Sequence, residues 1–99
     1  MKPYKRSERV SQEIKRILSE TLTYEAQDPF LRRVTILRVE VTDDLRKARV
    51  FYTVIRELQG VDSHLERARG FLRTTLAHKM RIKFVPEIEF KKVEELEIL

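Results

Sequence analysis

The chain has 99 residues, 41% of them hydrophobic and 37% charged, a balance too apolar for a disordered chain and too polar for a membrane-spanning one, and its length suits one small domain. It has no cysteine, which rules out disulfides, thiolate metal sites and a cysteine nucleophile; no apolar segment follows the charged start Met1-Lys2-Pro3-Tyr4-Lys5-Arg6, so no secretory signal is expected. A formal charge of +5 and an isoelectric point near 9.7 put nucleic acid, or another anionic surface, first among possible partners.

The charge is segregated. Residues 1–16, 31–60 and 61–83 carry +4, +3 and +4, whereas 17–30 and 84–99 carry −3 each. A surface built only for solubility would intersperse its signs.

Residues 7–26 read as an amphipathic helix with Val10, Ile14, Ile17, Leu18, Thr21 and Leu22 on one side and Ser7 as N-cap. Arg9, Glu13, Arg16 and Glu20 make a row of alternating sign, read first as a solvated salt-bridge face and alternatively as an RNA contact. Lys2, Lys5 and Arg6 have no acid nearby and read as a basic arm, residues 1–6. Asp28-Pro29 stops the helix.

Residues 34–41 and 47–55 read as two strands of an antiparallel hairpin joined by Thr42-Asp43-Asp44-Leu45-Arg46. The second alternates cleanly. In the first, Val34 and Ile36 share one phase and Leu37, Val39 and Val41 the other, which predicts a β-bulge near Ile36-Leu37. Asp43 and Asp44 read as turn chemistry rather than a metal or acid pair.

Residues 61–81 are helical by pattern, with a stripe of Leu65, Ala68, Leu72, Leu76 and Met80. An unbroken helix would put Arg69 about 40° from Leu65, inside that stripe. With Gly70 following, the pattern predicts a kink at Arg69-Gly70 and a second helix from Phe71. Ile82, Phe84, Ile88 and Phe90 then share a strand phase, interrupted by Pro86. Residues 93–99 could begin another helix. The order is α-β-β-α-kink-α-β: an α+β domain with helices on one face of a small sheet.

Little points to catalysis. His64 and His78 are far apart and read as surface histidines, and two glycines cannot make a phosphate loop, a dinucleotide fingerprint or a nucleophile elbow. No metal or cofactor is implied. Arg67, Arg69, Arg73, Lys79, Arg81 and Lys83 instead crowd around the kink, and Lys47 and Arg49 could extend their field; an ordinary solvated surface is the competing reading. Phe51, Phe71, Phe84 and Phe90 read as core rather than as a base-stacking platform.

Val34 to Val54, Ala68-Arg-Gly-Phe-Leu-Arg73, Lys79-Met-Arg-Ile-Lys-Phe-Val-Pro-Glu-Ile-Glu-Phe90, Arg9-Val10 and Asp28-Pro29 together resemble the ribosome-binding factor A family over nearly the whole chain. The resemblance implies one domain over 1–99 with a type II K-homology-like fold and a mixed three-stranded sheet. It also implies an Ala-x-Gly kink, fitted by Ala68-Arg69-Gly70, where related modules carry a Gly-x-x-Gly loop. It implies a non-enzymatic cytoplasmic factor that binds the small ribosomal subunit and its RNA in late maturation, assists 5′-end processing of that RNA and supports growth in the cold. Neither a membrane nor a small-molecule substrate is expected as a partner, and a monomer is. Phe30 stands where the family often has arginine, so no RNA role is carried there.

Arg67, Arg69, Arg73, Lys79 and Arg81 are therefore the first candidate phosphate contacts, with Lys47, Arg49, Lys2, Lys5 and Arg6 as secondary ones; Ala68 and Gly70 are structural. A generic single-stranded RNA-binding K-homology module is the alternative, and an adaptor docking through the acidic C-terminal strand is a third reading.

Overall fold

The computed structural model describes residues 5–56 and 58–94. Helix α1 (Arg6–Glu20) continues into one π-turn (Thr21–Glu25), and a short 3-10 turn (Leu31–Arg33) leads into β1 (Val34–Val41). Then come β2 (Lys47–Val54), α2 (Val61–Lys79) and β3 (Glu87–Lys92). The sheet order is β1-β2-β3, with β1 antiparallel and β3 parallel to the central β2. The parallel pair needs a long crossover, and α2 supplies it.

The expected bulge is present: pairing runs from Val34↔Val54 to Ile36↔Tyr52, then resumes at Arg38↔Phe51, leaving Leu37 as the extra residue. The slip turns Val39 inward and Arg38 and Glu40 outward, so one strand satisfies both phases. Along β2, Ala48, Val50, Tyr52 and Val54 are buried against the helices, and Arg49 faces outward. The core joins them to Ile14, Ile17, Leu18 and Leu22 of the first helical stretch and to Leu65, Leu72 and Leu76 of α2. The other sheet face carries charge: Arg38 lies 3.8 Å over the Phe51 ring and bonds Glu40, and Glu89 holds Lys91 and Arg49.

Four expectations change. First, α2 is continuous through Ala68-Arg69-Gly70; no separate helix starts at Phe71. Arg69 sits at the margin of the buried arc, and its long side chain reaches out to Glu66, so an unbroken helix accommodates it. Gly70 has no positive φ, and nothing lies within 4 Å of where its Cβ would be. The glycine with the special backbone is Gly60 at the start of α2, with φ +90°. Second, Ser7 is not the N-cap. Lys5 is, and buried Ser7 lies inside α1, donating its hydroxyl to Asp43 at 3.3 Å and tying the helix to the hairpin turn. Third, Ile82 and Phe84 precede β3 rather than belonging to it. Fourth, of the four phenylalanines read as core only Phe90 packs against it, partly buried; Phe51 lies under Arg38, and Phe71 and Phe84 are 49% and 75% exposed. The helix considered over 93–99 lies mostly outside the described residues.

The first helix ends as a π-turn because buried Thr21 gives its hydroxyl to the Ile17 carbonyl and Ala26 N–H bonds the Thr21 carbonyl. The chain then turns at Asp28, whose carboxylate accepts the Phe30 amide at 2.9 Å.

Candidate nucleic-acid interface

The basic residues singled out from sequence fall on several surfaces. Lys47 at the start of β2 and Arg69 and Arg73 on α2 come together around a cleft of about 260 Å³ beside Glu87 and Glu89. Arg49 lies on the open sheet face, 3.8 Å from Glu89. Lys79 is bonded to Glu25 at 2.6 Å at the far end of α2. Arg67 lies near Asp28, on another side. Arg81 and Lys5 are exposed, and Lys2 is outside the described residues. Arg6 is the first residue of α1 rather than part of an arm.

Arg6 lines a second cleft, of about 700 Å³, where the start of α1, the β1–β2 turn and the connection before β3 meet. Arg46, Lys47 and Lys83 line it too, against two acids, Asp44 and Glu87. Lys47 and Glu87 border both clefts, so the two form one basic strip.

Its walls are held in place. Leu45, at φ +61°, closes the β1–β2 turn by bonding the Thr42 carbonyl at 2.8 Å. Asp44 accepts the Thr42 hydroxyl at 2.6 Å and the Arg46 amide at 3.0 Å; these bonds hold its carboxyl below the usual carboxylate range and occupy part of its acceptor capacity. Opposite, the Glu87 amide bonds the Arg46 carbonyl at 2.8 Å, and the Arg73 guanidinium donates to the Val85 carbonyl at 3.1 Å. The Lys91 ammonium holds the Glu89 carboxyl low as well, so it stays ionised at the strip's edge. Among the described residues no group of three His, Asp or Glu side chains could hold a metal, and no helix is long and apolar enough to cross a membrane.

The ribosome-binding factor A family model matches residues 6–98. The chain belongs to the ribosome-binding factor A family. It is 38% identical to ribosome-binding factor A of Natranaerobius thermophilus, over 93% of this chain and 72% of that one. It is 40% identical to that of Geotalea uraniireducens, over 89% and 75%. The crystal structure of ribosome-binding factor A from Thermus thermophilus superposes with a TM-score of 0.79 at 28% identity, covering 87% of this chain and 93% of that one. The solution structure of a putative ribosome binding factor A from Thermotoga maritima gives 0.75 at 33%, covering 98% and 95%. A Thermus thermophilus homology model fitted into a cryo-EM map of a 30S complex gives 0.70 at 28%, covering 82% and 88%. The type II K-homology-like fold expected of the family is the fold observed.

Within this ribosome-binding factor A fold, sequence reasoning missed Arg46 and Phe84 as residues of the basic strip, and it grouped Lys83 with the bases around the kink rather than with the hairpin turn. Arg46 was obscured by the two aspartates before it, and Phe84 by a strand phase that ran on past Pro86. The adjacent cation and aromatic were the available signal.

Proposed function

We propose that the protein is a ribosome assembly factor that binds the small ribosomal subunit through its RNA, using the basic strip as the contact surface. Family membership supports the ribosome as partner, and the homologue seen in a 30S complex supports the small subunit. The observation that carries the surface assignment is the convergence of Arg6, Arg46, Lys47 and Lys83 on one cleft continuous with Arg69 and Arg73. Phosphates there would meet several cations at once: Arg46 and Lys47 lie in the field of Asp44 and Glu89, and Arg69 pairs with Glu66, whereas Arg6, Arg73 and Lys83 form no ion pair with an acid among the described residues.

Binding acts on the RNA by differential affinity. A rigid surface that fits one arrangement of RNA helices better than another shifts the population toward it. In late maturation, the preferred arrangement would be the one in which the 5′ end of the small-subunit RNA is open to processing, a step that matters most in the cold, when RNA rearranges slowly. The site needs no cofactor and performs no covalent step, the working unit is a monomer, and its place is with the ribosomes in the cytoplasm.

Co-sedimentation with bare small subunits across a salt series tests this. Each phosphate contact should contribute roughly −0.7 to −0.9 to the log–log slope, so affinity should fall steeply as salt rises. A flat profile would refute the phosphate mode and favour docking through the acidic C-terminal strand. A preference for short single-stranded oligonucleotides over subunits would make the protein a generic single-strand binder.

A further inference from the structure

We propose that the wider basic cleft holds one unpaired nucleotide of the bound RNA, its base stacked on the Phe84 ring and its phosphate among Arg6, Arg46, Lys47 and Lys83. This inference rests on the RNA-binding reading above and names the chemical form of RNA that the site takes.

Phe84 carries it. The connection 81–86 packs Ile82 and Val85 against the core and buries Pro86 completely, yet leaves Phe84 75% exposed. A lone exposed apolar side chain is ordinary on a protein surface. This one differs in its support and its neighbours. The segment that carries it is pinned by the Arg73 guanidinium at the Val85 carbonyl, by buried Pro86, and by the Glu87 amide at the Arg46 carbonyl. The ring is thus presented on a fastened stretch of backbone. The Lys83 ammonium lies over one face of the ring, 5.6 Å from its centroid, so the cleft wall carries a cation and an aromatic ring together and leaves the other face for a base.

The dimensions and charge agree. Small-ligand sites run from about 300 to 1,000 Å³, and this cleft of about 700 Å³ falls within that range, enough for a nucleotide but not for a duplex. Four bases against two acids leave an excess of positive charge for a phosphate. Duplex RNA hides its base faces within the stack, whereas an unpaired nucleotide offers both a π-face and a phosphate within one residue's span. Any of the four bases can stack, so the site selects for unpairedness rather than sequence.

The test uses the full chain and two probes of equal length, a single-stranded oligouridylate and an oligoadenylate–oligouridylate duplex. NMR follows the Phe84 ring protons, and fluorescence anisotropy gives affinity. Binding of the single strand should move the ring protons upfield, while the duplex should leave them in place. Phe84→Leu, which keeps apolar bulk but removes the ring, should weaken single-strand binding roughly five-fold or more, and Phe84→Trp should retain it. Equal single-strand affinity of Phe84→Leu and the unsubstituted protein would overturn the proposal, as would equal ring shifts with the duplex. Binding of polyglutamate as tight as that of oligouridylate would overturn it too, by making the cleft a general anion site. Co-sedimentation of the unsubstituted protein with small subunits is read in parallel: its failure sinks the subunit reading, whereas a stacking failure with intact co-sedimentation sinks only the nucleotide site.

Discussion

The Nδ1 of His64 lies 2.5 Å from Oδ2 of Asp28, joining the first turns of α2 to the loop that follows the first helical stretch, 36 residues earlier in the chain. The same imidazole stacks on Phe30, with ring centroids 3.9 Å apart and planes 5° from parallel. Asp28 also accepts the Phe30 amide, so one carboxylate fixes both partners of the stack. Phe30 is thus part of a structural clasp.

The clasp gives stability a defined acid dependence. The hydrogen bond from His64 and the Phe30 amide hold the Asp28 carboxyl below the usual carboxylate range. A carboxylate with a depressed folded-state pKa contributes stability above its unfolded pKa of about 3.9 and loses it as pH falls through the folded value. Asp28→Asn keeps an oxygen for the Phe30 amide but removes the charge. Its melting temperature should lie below that of the unsubstituted protein at neutral pH, and the gap should shrink as pH drops below about 4. A gap that stays constant through the acid range would contradict this. His64→Ala should remove the stack as well, at roughly 0.5–1.5 kcal/mol for the ring contact.

The two glycines should respond to alanine with opposite signs. Gly60 holds φ +90°, a conformation that L side chains rarely adopt, and Gly60→Ala should destabilise by about 1–3 kcal/mol. Gly70 lies in the exposed interior of α2 with open space at its Cβ position, and Gly70→Ala should stabilise by roughly 0.5–1 kcal/mol. Urea denaturation of both variants reads this directly. A loss of stability in Gly70→Ala would restore the hinge that the Ala-x-Gly pattern predicts.

Arg69 and Arg73 share a cleft but do different work. Arg69 pairs with Glu66, both half-exposed, a contact of small stabilising value. Arg73 fastens the Val85 carbonyl and with it the segment carrying Phe84. Arg73→Ala should speed hydrogen exchange at the Glu87 amide, which bonds the Arg46 carbonyl, and Arg69→Ala should not. Equal exchange in the two variants would remove the fastening role.

Patterns confined to one element were readable in the sequence, and those made by distant partners were not. The phase flip at Leu37 announced the bulge because strand periodicity is strict and a slip must be absorbed locally. Arg69 misled because periodicity treats a side chain as a point; an arginine at the edge of a buried arc carries its charge outward on its own stem. Phe84 misled because alternation continued in phase across Pro86 while the chain stayed outside the sheet until Glu87. The basic character of the candidate surface was legible as segment charge. Which bases share a cleft depended on the α1 start, the hairpin turn and the connection before β3 meeting in space, three segments far apart in the chain.

The central claim is that the basic strip, rather than net charge, binds the small subunit. Competition co-sedimentation at one fixed salt concentration tests it with two double variants that each remove two positive charges. Arg46→Ala plus Lys83→Ala strips the cleft. Arg9→Ala plus Lys15→Ala removes exposed bases from α1 that line neither cleft and have no side-chain partner among the described residues. With circular dichroism showing both variants folded, the cleft pair should lose roughly ten-fold or more in affinity, about 1.4 kcal/mol, and the α1 pair several-fold less than that. Equal losses, or a larger loss from the α1 pair, would contradict the account.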